Sequence, residues 1–512
     1  MRVPLDDVVL IHTTRPSNVV SQLSSFLENI IQFQIKGCPP LPFFEEDLTG
    51  FKGVREVMFI YVCDVPGSGE YEEPLKDAHR LIHNCGLKDH VSLLFFDLAA
   101  QDKILSELAR DVAQITGRSV ERCKDVFRDW KGDKLGGRRG CQNKSIVLAD
   151  YVTKQVRPPV IYHKLDDDIY AYIATFDGDM LMVTQGYNIF AHKAKKIAET
   201  KGILASRYCI DTPSPLADVN EALTDILKVL GALMQGGVKL DDCWSETARM
   251  LFTVPLHYVD QSGLVNFPLR RDMTYREALG VMGNLVEVLL NGNNRLCLNT
   301  LENLGRSYYG PRDCAPGGFM SFSSSLQIRP NIRGANQDLI FTAFEHALGN
   351  TVYGDWPVGH IKSLSNRDTI LNTMSYDPSR VGTRTNDFGT TYAVLRTAVD
   401  EGIVISAGLN ESASVFGWGL RLITVEHVKK NLALMKKRIA ILMQNHDKDV
   451  LHLLFPLEKL ATLMENSMEG VGALLDYHHQ PSEVTDAAKE LYGLWKEDKE
   501  IFYHFRMRAH NG

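Results

Sequence analysis

An α/β fold is the class this sequence predicts: a mostly parallel sheet with helices on both faces, followed by a mainly helical C-terminal region. Three observations carry it. Short runs rich in Val, Ile and Phe recur at Val8–Ile11, Val57–Val62, Val91–Phe96 and residues 158–165. Between them, apolar residues return at steps of three and four, the period of an amphipathic helix. Beyond about residue 375 only the helical period remains. Strands that alternate with helices imply parallel pairing with helical cover.

The elements follow in order. Val8-Val9-Leu10-Ile11 is a strand, and Thr13-Thr14-Arg15-Pro16-Ser17 its following loop. Val19, Leu23, Phe26 and Ile30 step by four, three and four, so a helix starts near Ser17. The strand Val57–Val62 ends at Cys63-Asp64, and Pro66-Gly67-Ser68-Gly69 makes the turn after it. Glu72 to Cys85 reads as a helix, Val91–Phe96 as a third strand, and much of 101–127 as helical. After the loop 136–144, Ser145 to Val152 is helical and 158–165 is the fourth strand. Asp177-Gly178-Asp179 lies between two apolar runs, a strong hairpin signal, although a rival metal site fits the same acids. Helices are expected near 217–234, 274–291 and 337–348. Val428, Leu432, Met435, Ile439 and Leu442 mark a later helix, and the aromatic and Arg-rich tail from Phe502 to Arg508 reads as a packed terminal helix.

The chain has 512 residues, so more than one domain is expected. A hydrophobic content of 44%, a charged content of 23% and a net charge of −7 are ordinary for a globular protein. They disfavour a general nucleic-acid binder. The nine Cys include no C-x-x-C and are odd in number. Neither a zinc ribbon nor a disulfide framework is implied, and reduced thiols suit a cytoplasmic location. No signal-peptide core and no transmembrane run is found.

The chemistry centres on Asp166-Asp167-Asp168, which ends the fourth apolar run. Three acids cannot enter a core unpaired, so they belong at the strand's carboxyl end, where open α/β sheets bind ligands. Clustered oxygens there suit Mg²⁺ or Mn²⁺ with phosphates completing the shell. An acidic helix cap is the plainer alternative. Thr13, Thr14, Arg15 and Asp64 follow strand ends and are candidates for holding a nucleotide; for Asp64, ordinary turn chemistry competes. Arg138, Arg139 and Lys144 in the glycine-rich 136–144 loop offer charge for phosphate, without the P-loop spacing. Asp338 opens a helix, where it is either a general base or a cap. His360 is either a metal ligand or a structural His.

Taken in order, Thr13-Thr14-Arg15, Asp64, Arg139 to Asn143, Asp166 to Asp168, Gly317-Gly318 and Gln337-Asp338 resemble the motifs of glycosyltransferases of the GT-A (Rossmann-like) fold, nearest in layout to the inverting enzymes of family 2. The resemblance spans about residues 5–365. It implies a donor-binding half at 1–180, an acceptor-side insertion at 181–310, a catalytic half at 311–374 and a separate helical region at 375–512. It implies Asp166, Asp168 and His360 as metal ligands, Asp338 as base, and Asn143, Asp166 and Asp167 among the donor contacts. The donor would be a nucleoside-diphosphate sugar, UDP favoured through Asp64, with an acceptor of unknown identity. Gln337 stands where the pattern has Glu, and the insertion before Gly317 is long. A metal-dependent nucleotidyltransferase shares the sheet edge and the acids. A non-catalytic scaffold, oligomerising or holding a partner through its C-terminal helices, is the third expectation.

Overall fold

The computed structural model describes residues 5–51, 53–63, 68–128, 141–154, 156, 159–177, 180–211, 253–255, 295–299, 319–332, 349–361, 432–444 and 482–511, with isolated positions elsewhere. The fold is α/β. Its first part runs β1 (Asp7–Thr13), α1 (Asn18–Asn29), β2 (Val57–Cys63), α2 (Glu72–Asn84), β3 (Val91–Phe96), α3 (Leu98–Thr116), α4 (Val120–Lys124), α5 (Cys141–Thr153) and β4 (Ile161–Asp166). There follow β5 (Ile169–Tyr170), β6 (Ile173–Asp177), β7 (Met180–Thr184), α6 (Ile189–Thr200), β8 (Ile203–Asp211), β9 (Thr253–Pro255), β10 (Arg295–Asn299), β11 (Phe319–Ser323) and β12 (Val352–His360). The last helix is α7 (Ser482–Asn511).

The main sheet is ordered β3-β2-β1-β4-β11-β8-β10-β9, with β12 beside β8 and β5 beside β12. Its first four strands are mutually parallel. From there the sheet is mixed: β11 runs antiparallel to both β4 and β8, while β12 runs parallel to β8. β6 and β7 form the hairpin expected around Asp177, with Asp177 opposite Met180.

Alternation along β1 sets the two layers, because successive strand side chains point to opposite faces. Val9 and Ile11 pack with Leu23 and Phe26 of α1, Ile82 of α2 and Phe190 of α6. Val8 and Leu10 pack with Leu108 of α3, Ile146 of α5, and Phe502 and Phe505 of α7. Helices therefore cover both faces, as the sequence predicts.

Two expected boundaries fall inside this framework. β8, within the stretch read as an insertion, is an interior strand of the sheet. α7, within the separate helical region, completes the helical layer over β1 and β2. Its docking is polar as well as apolar: Arg506 Nε donates to Asp150 Oδ2 at 2.7 Å, Arg122 Nη1 to Asp498 at 2.9 Å, and Trp495 Nε1 to the Pro330 carbonyl at 2.9 Å. The tail is thus a packed terminal helix. Residues 432–442 are helical, as expected from the stripe there. The helices expected over 217–234 lie outside the described residues.

A relay of Ser321, His163 and Asp7 ties β11, β4 and β1 together. His163 is 2.9 Å from Ser321 Oγ through Nδ1 and 2.9 Å from Asp7 Oδ1 through Nε2, and Arg55 bonds the other oxygen of Asp7. All three relay residues have no solvent exposure, so the group holds strands together and reaches no substrate. Burial would raise the Asp7 pKa, but Arg55 and His163 outweigh it and hold the carboxyl below its usual range.

Candidate active site

β1 connects through α1 to β2 on one side, whereas β4 lies on the other. The carboxyl ends of such a pair flank a crevice, the usual ligand position in open α/β sheets. In register, His12 of β1 stands beside Asp166 of β4. The three acids thus sit at the switch point of the strand order.

Each acid meets a different environment. Asp166 ends β4 and remains part-exposed, its Oδ1 3.5 Å from Lys164 Nζ. Asp167 and Asp168 are each 5% exposed. Asp167 turns to the β1 loop, where Arg15 Nη2 donates to its Oδ1 and Thr14 N to its Oδ2 at 3.2 Å. Asp168 Oδ2 lies 3.1 Å from Arg15 Nη2 and 3.6 Å from His360 Nε2. Burial raises the Asp167 pKa; Arg15 opposes this and the neighbouring Asp168 carboxylate adds to it. Burial also opposes the Arg15 charge, and the two carboxylates more than restore it.

The backbone of the acidic turn is held by α1. Asn18, Gln22, Ser25 and Asn29 recur at steps of four, three and four on one face of that helix, next to its apolar stripe. Asn18 Nδ2 donates to the Asp167 carbonyl at 3.1 Å, and Gln22 Nε2 to the carbonyls of Asp166 and Ile169 at 2.7 and 3.0 Å. Ser25 Oγ accepts from Ala171 N at 3.1 Å, and Asn29 Nδ2 donates to the Tyr187 carbonyl at 2.8 Å. Gln22, Ser25 and Asn29 have no solvent exposure. Sequence reasoning missed them, because a polar stripe on a helix ordinarily faces water.

β12 delivers His360. Its end pairs with β5, Gly359 opposite Tyr170 and His360 opposite Ile169, and Ile361 N donates to the Asp168 carbonyl at 2.9 Å. A Cβ on Gly359 would stand 2.9 Å from both Ile210 Cδ1 and the Tyr172 carbonyl oxygen. Only glycine lets the strands approach this closely. Ile210, at φ 75°, is a β-branched residue in the left-handed region, a strain of about 1–3 kcal/mol that packing must hold. The Tyr208 ring lies against His360, centroids 4.9 Å apart.

Lower in β12 lies a second, largely buried network. Lys193, without exposure, bonds Asp355 and donates to Ser206 Oγ at 2.6 Å. His192 faces Asp355 Oδ1 at 2.6 Å and Glu46 Oε2 at 2.7 Å, and its ring stacks on Trp356 at 3.7 Å. Burial lowers the Lys193 pKa against the pull of Asp355. This network anchors α6 to β8 and β12 at the strand irregularity between Asp355 and Val358 and so fixes where β12 ends.

The expected site residues therefore divide. Thr14, Arg15, Asp166, Asp167, Asp168 and His360 come together. Thr13 is buried beneath them, its Oγ1 3.3 Å from Tyr71 OH; it supports the loop. Two expected donor contacts already have partners within the chain. Asp167 is taken up by Arg15 and Thr14. Asn143 is buried, donating to the carbonyls of Val126 and Asn331 at 3.1 and 3.2 Å and accepting from Asn331 N at 2.6 Å; with its hydrogen bonds used, it ties α5 to the 331 segment. Asp64, Arg138, Arg139, Asp338 and Gly317-Gly318 lie outside the described residues. The structure adds His12, which bonds Ser145 Oγ of α5 beside Asp166.

Asp168 and His360 offer one oxygen and one imidazole nitrogen at a separation that a single cation can bridge. Among the described residues, no set of three His, Cys, Asp or Glu is arranged to hold a metal. Two protein ligands still suit Mg²⁺ or Mn²⁺, which take one or two carboxylates and complete their shell with phosphates and water. Among the described residues no helix is long and apolar enough to cross a membrane. No known family model matches the chain, and no curated protein matches it significantly in sequence.

Proposed function

We propose that this protein is a metal-dependent glycosyltransferase of the GT-A fold that moves a sugar from a nucleoside-diphosphate donor, UDP favoured, to an acceptor hydroxyl. The observation that carries the reading is the meeting of Asp168, Arg15 and His360 at the switch point, from three separated stretches of chain. An acidic cap would call for no Arg and no His from elsewhere.

The roles follow from the chemistry. Asp168 and His360 would hold the divalent cation, whose charge stabilises the leaving diphosphate. Asp166, expected as a metal ligand too, is part-exposed at the strand end beside Lys164 and would face the donor. The Arg15 guanidinium presents a planar fork to phosphate oxygens. Asp338 is assigned as the base that takes the acceptor proton in an inverting attack.

Thermal shifts with a panel of sugar nucleotides test the reading. A donor at 100 times its Kd adds about 2.7 kcal/mol of stability. A UDP-sugar should raise Tm by several degrees with Mn²⁺ and much less in chelator. Release of nucleoside diphosphate on turnover marks sugar transfer, and release of pyrophosphate would mark nucleotidyl transfer instead. No shift with any sugar nucleotide would sink the reading.

His360 also gives the metal assignment a backbone test. Gly359→Ala forces β12 away from Ile210 and Tyr172 and so carries His360 off Asp168. Groups that orient metal ligands typically contribute about 10- to 100-fold in affinity. A Mn²⁺ titration with UDP present should show a loss of that order, and unchanged affinity would remove His360 from the metal shell.

A further inference from the structure

We propose that Arg15 is an internal counter-ion standing in for the divalent cation, and that it is exchanged for that cation on donor binding, so that metal and diphosphate enter together. This rests on the glycosyltransferase reading and specifies how its site is loaded. One oxygen carries the argument. Asp168 Oδ2 is 3.1 Å from Arg15 Nη2 and 3.6 Å from His360 Nε2. A divalent ion bonded to that oxygen would lie within about 6 Å of the guanidinium, since metal–oxygen bonds here are about 2.0–2.6 Å. Cations that close repel strongly in a part-buried site. Arg15 and a metal therefore compete for Asp168 Oδ2.

Two further observations set the direction of the exchange. Asp167 and Asp168 are neighbouring carboxylates, both nearly buried. Without a cation such a pair is costly, and Arg15 supplies the positive charge beside it. Arg15 Nε, in turn, is buried with no hydrogen-bond partner among the described residues. An unmet buried donor is rare and calls for an acceptor, and a phosphate oxygen is one. The exchange needs only the side chain, because Pro16 restricts the backbone of Arg15 to extended conformations. Thr14 N continues to hold Asp167 when Nη2 leaves Asp168.

The test is a Mn²⁺ titration of the full chain, following free Mn²⁺ by electron paramagnetic resonance, with and without UDP. Wild type should bind Mn²⁺ weakly alone and about tenfold or more tighter with UDP, and Mn²⁺ should tighten UDP by the same factor, as linkage requires. Arg15→Gln should bind Mn²⁺ alone about tenfold tighter than wild type and lose most of the gain from UDP. Arg15→Lys keeps the charge and should stay close to wild type without nucleotide. If Arg15→Gln binds Mn²⁺ no tighter while wild type responds to UDP, the counter-ion role falls and the metal site stands. If Arg15→Gln does not fold, wild type decides: independent binding of Mn²⁺ and UDP overturns the exchange. If wild type binds no Mn²⁺ even with UDP, the metal reading falls and the exchange with it.

Discussion

Asp168→Asn should lower turnover by about 10³-fold or more and leave the fold intact. The cation it would hold supplies several kcal/mol of charge stabilisation to the leaving diphosphate, and each 1.36 kcal/mol is a factor of ten in rate. Stability should change little, because Arg15 keeps its bond to Asp167 and one of two crowded carboxylates becomes neutral. A structural role for Asp168 predicts the reverse, a fall in Tm with activity retained. Side-by-side kinetics and melting curves separate the two. Wild-type kcat with an undiminished Mn²⁺ requirement would refute the assignment.

Removing residues 482–511 should leave a protein that does not fold. Trp495, Ile501, Phe502 and Phe505 of α7 are each at most 2% exposed. Burial of such side chains contributes about 1.5–3 kcal/mol each. Four of them sum to about 6–12 kcal/mol, comparable with the whole stability of a typical domain, about 5–15 kcal/mol. The deletion also strips Arg506 from Asp150, which is fully buried. Soluble yield and a cooperative urea transition are the measurements; a soluble truncate that melts cooperatively would contradict the packing. The single change Arg506→Met should already lose about 3–5 kcal/mol, the usual effect of breaking a buried ion pair. Truncation is therefore no way to test whether the proposed donor chemistry and acceptor choice are divided between parts of this chain.

Much of the site was legible because strand ends are legible. A strand must stop where charges begin, so Asp166 to Asp168 had to stand at the sheet's carboxyl edge, and β4 does end at Asp166. Thr14 and Arg15 follow the first strand for the same reason. The hairpin at Asp177 was legible from local turn chemistry. Asn143 entered as a donor contact only through the resemblance; its partners, Val126 and Asn331, are distant in sequence and could not be read locally.

The sequence by itself determined the periods, hence the strands, the helices and the α/β class, since these depend on neighbours a few residues apart. It could not determine which strand lies beside which. That β8 enters the sheet beside β11, that β12 carries His360 to Asp168, and that α7 covers β1 all depend on contacts between remote segments. The polar stripe of α1 shows the limit most sharply. Asn18, Gln22, Ser25 and Asn29 have the spacing of a solvated face. They are a scaffold because residues 166–171 and 185–187 fold against them, bringing carbonyl and amide groups that replace water as hydrogen-bond partners.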